Sequence, residues 1–192
     1  MEDLTKGYRS DFSGLKPFEK AAAVRKIQNE ILAGLPLNTI YVVLYVRADP
    51  PIANDFHWGL YFHTDKSGAF KYHVKNPSTD GKGWLADHGR TGGLLKSNLL
   101  CVVNQIARVP SDKVAQIDPI MRSYDGNLNA MPGITCRVWV LAILQKLMDQ
   151  GIVRCSSVKD LEAECLSVGN GYMVEAANSR QPRPIVKSPV CL

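Results

Sequence analysis

The run Thr39–Val46 (TIYVVLYV) is aromatic, β-branched or otherwise apolar apart from its opening threonine hydroxyl. Such residues suit a pleated, packed surface, so the run reads as a buried strand and commits the chain to a sheet. Asp49-Pro50-Pro51 then breaks it. Neither this run nor the next most apolar one, 138–144, is long enough to cross a bilayer.

Two further strands are expected over 56–63 (FHWGLYFH) and 69–75 (AFKYHVK), joined as a hairpin by Thr64-Asp65-Lys66-Ser67-Gly68. Helices are expected over 18–33, with Pro17 before and Gly34 after, and over 113–124. Another strand is expected over 99–109. The strongest helix signal is 136–148: Thr135 can cap its start, Gly151 follows its end, and its apolar residues cover most of its circumference. Ser157 can cap a last helix from 158 to about 168. Strands clustered between helices, without strict alternation, imply an α+β class with an antiparallel sheet packed on a central helix. With 192 residues, 45% of them hydrophobic, we expect a single domain over 1–192. Residues 1–16 read as an irregular N-terminal arm and 178–192, with three prolines, as a C-terminal tail.

The five cysteines (101, 136, 155, 165 and 191) are odd in number and irregularly spaced, which suggests free thiols in a reducing, cytoplasmic setting. The first residues lack the layout of a secretory signal. The net charge of +5 concentrates in 66–108, with seven Lys/Arg against two acids. That balance hints at an anionic small molecule. No basic helix stripe or zinc-finger spacing supports a nucleic-acid partner. No Cys-x-x-Cys or His-x-x-x-His pair suggests a metal site, and no cofactor is expected.

Chemistry could arise at Cys136. At the first position of a helix, free N–H groups and the helix dipole favour a thiolate and could hold an oxyanion. The alternative is a small apolar residue packed at a helix start. A cysteine nucleophile needs a base, and histidine is the usual one. In the first hairpin strand His57, Gly59, Tyr61 and His63 share one face; in the second, His73 shares a face with Lys71 and Lys75. If 63 opposes 69 and 61 opposes 71, His57 and His73 become diagonal neighbours about 7–8 Å apart at the backbone, within bridging reach of two imidazoles.

The segments His57-Trp58-Gly59-Leu60-Tyr61 and Tyr72-His73-Val74, followed by a cysteine that opens an apolar helix, resemble the lecithin–retinol acyltransferase-like proteins. These belong to the circularly permuted papain-like cysteine hydrolases and acyltransferases. The resemblance covers roughly residues 40–148. It implies a permuted papain-like fold with Cys136 as nucleophile, His57 as general base and His73 as the orienting third residue. The run Thr135-Cys136-Arg137-Val138 departs from the family's Asn before the cysteine and its acidic and histidine residues after it. The expected function is cysteine-dependent acyl transfer or hydrolysis of an ester, thioester or amide, with Trp58, Tyr61, Trp84, His88 and Arg137 near the substrate. Two alternatives stand beside it. One is a non-catalytic small-molecule-binding module on the same fold, using the Gly-rich stretch 76–93; the other is an isopeptidase-like protease.

Overall fold

The computed structural model describes residues 1–8, 10–77 and 83–191. Residues 78–82 of the Gly-rich stretch lie outside the described residues. Strand β1 (Glu2–Asp3) and helix α1 (Pro17–Gly34) precede β2 (Thr39–Val46), β3 (Phe56–Asp65), β4 (Gly68–Tyr72) and β5 (Val74–Lys75). Then come β6 (Leu85–Ala86), β7 (Gly89–Thr91), β8 (Leu100–Arg108), α2 (Val114–Met121), α3 (Cys136–Asp149), α4 (Val158–Ala177) and β9 (Ile185–Lys187). Seven strands form one sheet in the order β1-β9-β8-β2-β3-β4-β7; β5 and β6 pair separately. Every pairing is antiparallel except β8 with β9. The molecule is thus a mixed, mostly antiparallel α+β protein.

Strand β2 lies between β3 and β8 and is buried on both faces, as its composition requires. Its even residues Ile40, Val42, Leu44 and Val46 meet Phe56, Trp58 and Leu60 of β3 and the apolar sides of α3 and α4. Its odd residues Tyr41 and Val43 meet Tyr61 of β3 together with Ile31, Leu32 and Leu35 at the end of α1. The sheet is therefore the middle of three layers, and a side chain's parity on β2 or β3 decides which helices it faces.

The hairpin has the expected register: His63 opposes Ala69 and Tyr61 opposes Lys71. Its pairing stops at Leu60–Tyr72, because His73 leaves β4 and the chain turns off into β5. Helix α3 begins under the Thr135 cap, whose hydroxyl accepts from the Val138 N–H at 3.0 Å, and Gly151 follows it with φ 62°. This left-handed conformation suits glycine.

Four expectations are corrected. The N-terminal arm is not wholly irregular, since β1 joins the sheet through β9. The tail contributes β9, and α4 runs on to Ala177 through Gly169, where a side chain would collide with Leu44 and Phe56. Finally, the cysteines are not all free thiols: Cys155 and Cys191 form a disulfide, which leaves Cys101, Cys136 and Cys165. Among the described residues, no helix is long and apolar enough to cross a membrane.

The buried Arg183 guanidinium ties three segments together. It donates to Ala176 O at the end of α4 (2.9 Å) and to Asn98 O before β8 (2.7 Å). Carbonyls, not a carboxylate, hold this charge, and burial lowers its proton affinity.

Candidate active site

The two histidines expected to meet do so. His57 projects from β3 on its odd face, and His73 sits just past β4; their Nε2 and Nδ1 atoms are 2.8 Å apart with the rings near perpendicular. Gly59 lies beside this contact. A Cβ at Gly59 would come within 3.2 Å of Tyr72 O and Val43 Cγ2 and 3.4 Å of His73 Cβ, so a larger residue would crowd the strand end that carries His73. Beyond His73, Asp87 Oδ2 stands 3.3 Å from Nε2, out of line for a hydrogen bond, so it acts on the ring through space. The same Oδ2 accepts a hydrogen bond from Lys75 Nζ at 2.9 Å.

The pair opens onto a concavity of about 420 Å³ walled by Tyr45, Arg47, His57, Lys71, Ser97 and Leu99. Arg47 is paired with Asp55 at 3.0 Å. Lys71, half-buried, makes no ion pair among the described residues; burial lowers its proton affinity, and the more distant Asp87 carboxylate opposes this. Burial is also the main force that pushes His57 down to about 4, with Lys71 and Arg47 adding to it and Asp87 opposing it. His73 is pushed down to about 4 as well, by burial first, then by Lys71 and His57. Both imidazoles are neutral at pH 7.

Cys136 is placed elsewhere. It packs with Phe56 and Trp58 on the even face, its Sγ 4.0 Å from Phe56 O. His57 follows Phe56 and points the other way, so strand β3 stands between thiol and imidazole. The structure brings together two of the three expected catalytic residues and leaves the third on the opposite face. The physical reason is that helix α3 covers the even side chains of β3, a choice that lies in the tertiary packing.

None of the five expected substrate contacts lines the histidine pocket. Trp58 (1% exposed) and Tyr61 (0%) are core residues on opposite faces. The Trp84 backbone exchanges two hydrogen bonds with the Asn129 amide. His88 is enclosed between Tyr72 and Trp139. Its Nδ1 accepts from the His73 N–H at 3.2 Å and its Nε2–H donates to Asp125 Oδ1 at 3.1 Å, so both nitrogens are occupied. Arg137 is exposed and 3.4 Å from Glu162. The pocket residues Tyr45, Arg47, Ser97 and Leu99 and the carboxylate of Asp87 went unread, because they come from separate segments. Lys71 alone carried a signal, its shared face with His73. Burial pushes the remaining free thiols, Cys101 and Cys165, up to about 12, which makes them inert packing. Among the described residues, no group of three or more His, Cys, Asp or Glu is placed to hold a metal.

Fold and site together define an α+β protein with a cation-rich histidine pocket on one face of its sheet. By sequence the chain belongs to a family of unknown function, DUF6914, whose model matches residues 38–175. That span includes β2 through most of α4 and every pocket residue named above. No curated protein and no solved structure matches the chain.

Proposed function

We propose that this chain is a small-molecule-binding module whose ligand carries an anionic group and sits in the pocket of His57. The observation that carries this reading is Lys71, a half-buried cation that makes no ion pair among the described residues and lines the concavity beside Arg47. A half-buried charge held in no ion pair is unfavourable, and a ligand anion would relieve it. Tyr45 and the largely exposed Leu99 give the same pocket an apolar side, so the ligand pairs a carboxylate or phosphate with an apolar body. Calorimetric titration with short carboxylates and alkyl phosphates tests this. Lys71→Met is expected to weaken binding at least about tenfold, as loss of a charge-assisted contact should. Equal affinity in the variant would reject the reading.

Acyl transfer through Cys136, His57 and His73 on a permuted papain-like fold needs thiol and base on one face of the sheet. With β3 between them, His57→Ala is expected to leave the pH dependence of Cys136 alkylation by iodoacetamide unchanged. Labelling that slows with His57→Ala would favour the triad over the binding module.

A further inference from the structure

One hydrogen bond between the rings and one nearby carboxylate indicate where the protons of the pocket histidines lie. Asp87 faces His73 Nε2 at 3.3 Å, and a carboxylate favours the proton on the nitrogen nearest to it. His73 Nδ1 is then a lone pair, so His57 Nε2 must be the donor across the 2.8 Å contact. The lone pair of His57 is left on Nδ1. No described group bonds it, and it is not among the buried atoms that lack a partner, so it meets the space of the pocket. An imidazole with its tautomer and orientation set by a second imidazole and a carboxylate is arranged as a general base.

Resting on the binding reading above, we propose that this pocket hydrolyses a carboxylic ester whose acyl part ends in an anionic group, with His57 Nδ1 activating water directly. Water gives a proton to Nδ1 as its oxygen bonds to the carbonyl carbon, and the carbonyl π pair moves onto oxygen. Lys71 and Arg47 hold the anionic end and the charge that develops on that oxygen. Collapse re-forms the carbonyl and breaks the bond to the alkoxy oxygen, which takes the proton back from Nδ1. Ester and water are the only reactants; a carboxylic acid and an alcohol are the products.

The charged and titratable groups around His57 are Tyr45 on β2, Arg47 just beyond it, Lys71 on β4, and His73 with Asp87 behind it. Burial, Lys71 and Arg47, against the opposing Asp87, hold the ring down to about 4. A bound anion offsets the two cations and raises its proton affinity toward the ordinary 6.5, so the base strengthens when substrate arrives. Because the base must be unprotonated, activity is absent at low pH, rises with pH through this range and then levels.

The test compares hydrolysis of 4-nitrophenyl hydrogen glutarate and the uncharged 4-nitrophenyl butyrate, with glutarate binding measured on the same preparations. The chain is expected to turn over the anionic ester about 100-fold faster than His57→Gln, the lower range for a general base. It is also expected to prefer that ester over the neutral one. Asp87→Asn, at the partly exposed end of the relay, is expected to lower kcat with KM unchanged and to move the acid limb to lower pH. It keeps the test decisive if His57→Gln does not fold. Equal rates in His57→Gln, an unmoved pH profile in Asp87→Asn, or loss of activity in Cys136→Ala overturns the proposal. If glutarate binds through Lys71 and the ester is untouched, hydrolysis falls and the binding reading stands. If glutarate does not bind at all, both fall.

Discussion

Truncating Trp139 to alanine is expected to destabilise the protein by about 3–5 kcal/mol, the range for removing a large aromatic from a packed core. Trp139 is fully buried on the sheet-facing side of α3. For a chain of this size that corresponds to a fall in Tm of roughly 10 °C. The indole does more than fill space, because its ring lies 5.5 Å from the ring of His88. His88 accepts the His73 backbone N–H, and the His73 side chain bonds His57 across the sheet. Loosening His88 should therefore blunt anion binding in a pocket that Trp139 never touches. Denaturant unfolding and a ligand titration on the same variant check both halves. A loss below about 1 kcal/mol would mean that the α3 layer closes over the gap; unchanged affinity would mean that His73 is held without His88.

Reduction of the Cys155–Cys191 disulfide should produce the second large effect. The two residues are 36 apart in sequence. Releasing a loop of that length from the unfolded chain corresponds to about 4 kcal/mol in the chain-entropy picture, with native relaxation reducing it toward about 2. The bond fastens the end of the chain beside the turn between α3 and α4. Just before it, the Ser188 hydroxyl donates to Glu164 Oε2 at 2.6 Å and β9 runs parallel to β8. Unfolding midpoints of the protein with and without a phosphine reductant, and of Cys155→Ser, give the measurement. Coincident midpoints in all three would show that the strand and the Ser188 hydrogen bond hold the segment unaided.

Local pattern carried much of the fold. Thr39–Val46 announces a strand buried on both faces by its lack of alternation, and Thr135 and Gly151 bracket α3 because helix ends need a cap and a left-handed stop. The 63–69 and 61–71 pairing follows from turn length and period two, and it brought His57 and His73 within reach of each other. Period two separates the faces of β3 but does not say which face α3 covers. That single unread choice moved Cys136 away from His57. Strand β9, three residues in a proline-rich segment, carries no periodicity at all. The partnership of Cys155 with Cys191 was hidden by an odd cysteine count, and that of Asp87 with His73 by a turn of chain that no local rule closes.

Arg183 gives the pocket a divided origin. The imidazoles and Lys71 stand on β3, on β4 and just past it, within the span that the family model covers. The rim formed by Ser97 and Leu99 flanks Asn98, whose carbonyl is clamped by a guanidinium from residue 183, beyond that span. Proton chemistry and the shape of the entrance are thus anchored in different stretches of chain. Substitutions near residue 183 can reshape what enters without disturbing the atoms that would act on it.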